Sequence, residues 1–163
     1  MQAHGWTLLF HDCIVEQLVK LARAYQAELS KGVAHGANGK PLAAISRLVL
    51  QEIPSDPGNR KYRQGSTLGD KYKHWFRAKF FGRFRLFFRY HTGAKTIIYA
   101  WVNDESTLRQ AGGKNDPYAV FRRMIERGTP PDVWNALARA SAPLPVELHE
   151  VFEEKPAGKR TPR

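Results

Sequence analysis

The chain is predicted to fold as α+β: a small antiparallel β-sheet with two N-terminal helices packed on one face and C-terminal helices after it. Three observations predict this. Apolar residues recur at helical spacing in two stretches near the N-terminus. They alternate at strand spacing between Phe76 and Val102, with glycines at two turns. Helical spacing returns after Asp104. The 163 residues suit one domain with a real core, expected at 1–142, with residues 143–163, rich in Pro, Glu and Lys, as a flexible tail.

Residues 5–11 (GWTLLFH) read as a short strand. Asp12 is placed to cap a helix in which Ile14, Val15, Leu18, Leu21, Ala22, Tyr25 and Leu29 share a face. Residues 32–39 (GVAHGANG) form a flexible connection. Gly39-Lys40 is no phosphate loop, because Pro41 follows and the earlier glycine is missing. Pro41 suits the first turn of a second helix, with Leu42, Ile45, Leu48, Val49 and Ile53 on one face. A polar, basic loop covers 59–74.

Three strands come next. In the first, Phe76, Ala78 and Phe80 alternate with Arg77 and Lys79; in the second, Phe84, Leu86, Phe88 and Tyr90 alternate with Arg83, Arg85, Phe87, Arg89 and His91. Keeping the apolar sets together fixes the parity of the register. A three-residue loop at 81–83, with Gly82 left-handed, places Phe80 opposite Phe84 and Lys79 opposite Arg85. A similar loop at 92–94 would set Arg89 against Ile97, Phe87 against Tyr99 and Arg85 against Trp101. One face would then hold Phe76, Ala78, Phe80, Phe84, Leu86, Phe88, Ile98, Ala100 and Val102, the floor for the two N-terminal helices. After the strands, Asp116-Pro117 opens a helix with Tyr118, Phe121, Met124 and Ile125 in a stripe, and Thr129 with Asp132 reads as the capping box of a last helix.

Charge points to a polyanion. Residues 60–95 carry eleven Lys and Arg against one acid, Asp70, so this stretch holds +10 of the chain's formal +11. Cations for phosphates and rings for bases together suit single-stranded RNA. The expected binding face gathers Arg77, Lys79, Arg85 and Arg89 among Phe87, Tyr99 and Trp101. Lys79 opposite Arg85 is unfavourable alone by roughly 0.2–1 kcal/mol, and an anion between them reverses the sign. The loop cations Arg60, Lys61, Arg63, Lys71 and Lys73 read as a wider footprint on ribosomal RNA. The single Cys13 excludes an internal disulfide and a cysteine-based zinc site. With no long apolar run and no signal-peptide pattern, the expectation is a cytoplasmic protein with no membrane partner.

Chemistry at this face needs a base, a charge stabiliser and an acid around one phosphate, because RNA supplies the 2′-OH nucleophile. Arginine does not deprotonate, so the base comes from Lys79, His74 or His91. No carboxylate cluster with metal-ligand spacing lies in the stretch, so no cofactor and no metal are expected.

The runs WFRAKFFGRFRLFFRY, IIYAWVNDESTLR and DPYAVFRRMIERGTPP, with Gly5-Trp6 and Leu68-Gly69, resemble the YhaV toxins, part of the RelE-like toxins of toxin–antitoxin modules. The resemblance covers residues 5–137. It implies a RelE/ParE-like fold and a metal-independent endoribonuclease that cleaves mRNA, associated with the ribosome. It also implies a PrlF-like antitoxin, a swapped-hairpin DNA-binding protein, and operator DNA contacted only through the toxin–antitoxin complex, which represses its own operon. By matched motif, the implied catalytic residues are Arg77, Lys79, Arg85, Arg109 and Tyr118, with Lys114 as a rival to Arg109. Lys79, the only lysine of its pair, becomes the base. Arg83, Arg89, His91, Phe87, Tyr99, Trp101, Lys114, Lys71, Lys73 and Arg63 are the expected RNA contacts. Two other readings remain: an RNA- or ribosome-binding module without catalysis, and a ParE-like toxin directed at gyrase, which would not need the lysine–arginine pair.

Overall fold

The computed structural model describes residues 1–33 and 36–153. A six-stranded sheet divides the molecule. Strand β1 (Gln2–Ala3) turns into β2 (Trp6–His11), which leads into helix α1 (Asp12–Ser30). The cap of α1 is His11 and not Asp12: its Nδ1 accepts from the Cys13 amide at 3.1 Å. Helix α2 (Gly39–Arg47) runs on through a π-helical turn at Leu48–Glu52 into the short α3 (Ile53–Ser55). The stripe of Leu42, Ile45, Leu48, Val49 and Ile53 is buried along this whole stretch, so the helical spacing survived the widened turn.

Strands β3 (Phe76–Phe80), β4 (Phe84–His91) and β5 (Thr96–Val102) follow as a meander. The order across the sheet is β1-β2-β5-β4-β3, and β6 (Ser141–Ala142) also pairs with β2. The β2–β5 pair is parallel, so the sheet is mostly rather than wholly antiparallel. The long excursion through α1 to β4 supplies the crossover that a parallel pair requires. Helices α4 (Pro117–Glu126), α5 (Trp134–Arg139) and α6 (His149–Glu153) complete the chain. Among the described residues no helix is long and apolar enough to cross a membrane.

The β3–β4 register is Phe76↔Phe88 through Phe80↔Phe84, with Lys79 opposite Arg85, as the three-residue loop predicts. The next turn departs from expectation. Its loop has four residues, 92–95, and closes on His91↔Thr96. Lys95 adopts φ 48°, and its carbonyl accepts the Thr7 amide of β2 at 2.8 Å. The pairs are then Arg89↔Ile98 and Phe87↔Trp101, with a register shift that leaves Ala100 as the extra residue of a bulge. Each one-residue step moves side chains to the other face. Ile97 and Tyr99 therefore join the α1–α2 side, while Ile98 and Ala100 leave it.

Both faces of the sheet are covered. One core lies beneath α1 and α2 and contains Leu8, Phe10, Ile14, Leu18, Val49, Leu86, Phe88 and Tyr99. The second lies beneath α4 and α5 and contains Leu68, Trp75, Phe87, Trp101, Phe121 and Leu137. The α4 stripe of Tyr118, Phe121 and Ile125 needed an apolar partner, and the rings of β4 and β5 provide it: Phe87 stacks on Phe121 at 4.3 Å and Trp101 on Phe121 at 5.8 Å. The face expected to be open is, over its centre, a second core.

The expected tail divides in two. Leu144, Leu148, Val151 and Phe152 are buried in the α1–α2 core, and Ser46 donates to the Phe152 carbonyl at 2.8 Å. Residues 143–153 are thus part of the packed domain, because the four buried apolar side chains of this segment outweigh its prolines. Residues 154–163, also expected to be loose, lie outside the described residues.

Candidate active site

The site lies where the second core ends, between the β3–β4 hairpin and the first turn of α4. Arg77 on β3 and Arg85 on β4 reach over the same phenol. Arg77 Nε donates to Tyr118 Oη at 2.8 Å and Arg85 Nε donates to it at 3.1 Å. That oxygen accepts both bonds, which leaves its O–H as the one polar capacity it has not used among the described residues. The remaining guanidinium contacts are carbonyls: Lys61 O for Arg77 at 2.7 Å, and Gly82 O and Phe84 O for Arg85 at 2.8 and 2.9 Å.

Arg77 is 9% and Arg85 6% exposed, and neither forms a salt bridge among the described residues. Removing a cation from water without a counter-charge is costly. Two such cations side by side raise the cost and prepare the site for an anion. Lys79 is exposed beside them, directly across from Arg85. Among the described residues its amine makes no hydrogen bond and no ion pair, so it is free to meet a substrate.

Arg109 closes the group. Its guanidinium carbon lies 4.7 Å from the centre of the Tyr118 ring, and Nη1 bonds Asp116 Oδ1 at 2.7 Å. Asp116 is buried and takes several roles: it also accepts the Gln110 amide, and it caps α4 through the Tyr118 amide at 3.1 Å. One carboxylate therefore sets the helix start, the tyrosine and the arginine together. Asn103, buried at the end of β5, accepts the Arg85 amide at 2.6 Å and donates to Arg83 O and Thr107 O. Asn103 and the Lys61 carbonyl hold the arginines and carry no sequence signal, since neither lies in a charge or ring pattern.

The structure thus brings Arg77, Lys79, Arg85, Arg109 and Tyr118 to one place. Arg83 is exposed at the hairpin tip, and its Nε donates to Arg109 O at 3.1 Å. Lys114 is exposed in the loop before α4, where its carbonyl accepts from Arg123.

Other expected RNA contacts lie elsewhere. Tyr99 is fully buried on the opposite face and donates to Val49 O at 2.7 Å; the four-residue turn at 92–95 moved it. Burial pushes its hydroxyl well above the usual tyrosine range. Phe87 and Trp101 are core residues under α4, not surfaces for bases. Arg89 lies between the rings of Trp75 and Trp134, at 5.5 and 5.4 Å, and Nη1 donates to the Asp132 carbonyl. Burial among these rings, only partly opposed by Asp132, lowers its affinity for its proton. His91 stacks on Trp134 at 5.4 Å and accepts the Ala94 amide at 3.0 Å. His74 pairs with Asp132 at 2.6 Å, and Trp75 Nε1 donates to the same oxygen at 2.7 Å. Asp132 therefore ties α5 to the sheet, and Val133 takes the cap position of α5 with no side-chain bond, so the expected capping box does not form. Arg63, Lys71 and Lys73 are exposed in the 59–74 loop, with Lys73 3.7 Å from Asp70.

Comparison with known proteins shows the family to which the chain is similar. The family model of YhaV toxins, described as toxins with endonuclease activity of toxin–antitoxin systems, matches residues 8–142. The chain is 39% identical over 143 residues to the ribonuclease toxin YhaV of Escherichia coli K12, covering 85% of this chain and 93% of that protein. Toxins YhaV of Escherichia coli O157:H7 and O6:H1 match with the same identity and coverage. No solved structure matches the chain significantly.

Proposed function

The chain belongs to the YhaV family of toxin–antitoxin toxins with endonuclease activity, and from that premise we propose that it is a metal-independent ribonuclease acting on mRNA through the Arg77–Lys79–Arg85–Arg109–Tyr118 group. The observation that carries this reading is the pair of buried arginines that share one phenol and form no salt bridge among the described residues. Such a pair is an anion site, and guanidiniums match phosphate oxygens in geometry and charge. The cationic surroundings disfavour a divalent metal at the same point.

In the proposed reaction Lys79, as the free amine, takes the proton from the 2′-OH. The 2′-oxygen forms its bond to phosphorus and the bond to the 5′-oxygen breaks, leaving a 2′,3′-cyclic phosphate and a 5′-hydroxyl end. Arg77 and Arg85 hold the non-bridging oxygens as charge grows on them. Arg109, aligned by Asp116, or Lys114 stabilises the charge on the departing oxygen, which takes the proton that completes the 5′-hydroxyl from water. Tyr118 fixes both arginines and presents its own O–H toward the substrate.

A toxin of this family has an antitoxin as partner. We place a PrlF-like, DNA-binding antitoxin in that role, with operator DNA reached only through the complex and the operon repressed by it. The exposed cations of the 59–74 loop support a ribosomal RNA footprint, and with it a reaction on the ribosome in the cytoplasm. Primer extension on mRNA, with and without ribosomes, tests the reading. Cleavage by the wild-type chain that disappears in Arg85→Ala and Lys79→Ala is the expected result. Binding of RNA with no cleavage would make the chain a binding module instead.

A further inference from the structure

Phe81, at the tip of the β3–β4 hairpin, is 57% exposed and is the one exposed aromatic among the described residues. Its backbone has φ 47°, followed by Gly82 at φ 73°. The left-handed region suits Gly, Asn or Asp; an aromatic there is an outlier. Turn chemistry therefore favours almost any short polar residue over phenylalanine. The ring is also held out in water, so it gains little from burial. Strained residues of this kind concentrate where a ligand is met.

The surroundings identify the ligand. One edge of the Phe81 ring rests on Phe80, at 5.5 Å between centroids, and Phe80 stacks on Phe84 at 5.3 Å. The exposed cations Lys79 and Arg83 flank it in the chain. The tip is also bolted to the candidate active site. Arg85 Nη1 donates to the carbonyls on either side of Arg83, those of Gly82 and Phe84. Arg83 and Arg109 bond each other twice, through Arg83 Nε to Arg109 O at 3.1 Å and through Arg109 N to Arg83 O at 3.0 Å. The guanidinium that would grip the phosphate thus grips the turn that carries the ring.

We propose that Phe81 is a nucleobase-stacking residue that positions the RNA strand, taking the base of a nucleotide next to the phosphate held by Arg77 and Arg85. This deepens the ribonuclease reading and rests on it. A ring among cations is the pairing that holds single-stranded nucleic acid, and stacking accepts every base because each has a π face. Phe81 therefore contributes grip and position, with weak sequence preference of its own.

The test compares wild type with Phe81→Asn and Phe81→Tyr. Asparagine suits the left-handed turn, so Phe81→Asn should fold at least as stably as wild type, read as an unchanged or higher Tm. It should bind a 2′-O-methyl RNA about tenfold or more weakly and raise KM for cleavable RNA more than it lowers kcat. Phe81→Tyr should retain both. With 2-aminopurine placed at successive positions of the 2′-O-methyl RNA, wild type should quench one position that Phe81→Asn leaves bright. A Phe81→Asn chain that binds, quenches and cleaves as wild type does overturns the proposal and leaves the ring to a protein partner. A wild-type chain that neither binds nor cleaves RNA, with or without ribosomes, overturns the ribonuclease reading itself.

Discussion

Lys79 stands directly across the β3–β4 ladder from Arg85, the lysine exposed and the arginine buried. Alone, the pairing is repulsive. It becomes favourable when a phosphate bridges the two side chains, so this pairing is suited to an anion held between them. The two residues also divide the chemistry, because the amine can release its proton and the guanidinium cannot.

Replacing Lys79 separates those roles. Both Lys79→Ala and Lys79→Arg are expected to slow RNA cleavage by about 10²–10⁴-fold, the usual contribution of a positioned base. RNA affinity should fall only modestly in Lys79→Ala and be kept in Lys79→Arg. Single-turnover cleavage with a parallel binding titration measures both, and a fully active Lys79→Arg chain would remove the lysine from its role as base.

The unpaired arginines predict anion-dependent stability. Inorganic phosphate at constant ionic strength should raise the Tm of the wild-type chain, by roughly 2.7 kcal/mol of stabilisation at a hundredfold excess over its Kd. Arg85→Gln should abolish most of that response. Equal shifts in both proteins would show that the anion acts elsewhere.

Two tyrosines on opposite sides of the sheet should behave differently. Tyr118→Phe strips the shared acceptor from two buried guanidiniums and is expected to cost about 1–3 kcal/mol, with loss of cleavage. Tyr99→Phe removes one bond to the Val49 carbonyl, costs about 0.5–1.5 kcal/mol and should leave cleavage unchanged. Urea unfolding and one activity assay distinguish them.

His11 makes stability depend on pH. Burial holds the imidazole below its ordinary 6.5, against the opposing pull of Asp12 and Glu16. The unfolded chain therefore binds this proton more readily than the folded one. The resulting stability is fully present above pH 6.5 and is lost as pH falls from there through the lowered folded value. Protonation also removes the Nδ1 acceptor that caps α1. Tm should thus decline on acidification in this window, and His11→Asn, which keeps a capping oxygen, should flatten that part of the profile. An identical decline in the variant would assign the effect to other groups.

The last described helix should be structural. Phe152→Ala opens a cavity against α2 and the core and is expected to cost about 3–5 kcal/mol. A change in Tm near zero would mean that 143–153 contributes nothing to the fold.

Much of the site was legible because it depends on short-range rules. Alternation put Arg77, Lys79 and Arg85 on one side of two strands, and a three-residue turn around Gly82 set Lys79 against Arg85. Asp116-Pro117 announced the start of α4, and so the height of Tyr118. Arg109 and Tyr118 came from resemblance alone, since no local pattern connects a loop to a helix start.

What the amino-acid order determined by itself was therefore the longer helices and strands, the cationic β3–β4 hairpin and its register, all properties of neighbours along the chain. Only the tertiary structure decided the four-residue turn at 92–95 that moved Tyr99 to the far side, the bulge at Ala100 that returned Trp101, the covering of Phe87 and Trp101 by α4, and the insertion of 143–153 into the core. Each of these is settled by which apolar surfaces meet across long sequence separations. Local spacing carries no record of that choice, because a side chain's period is the same whichever helix comes to lie on it.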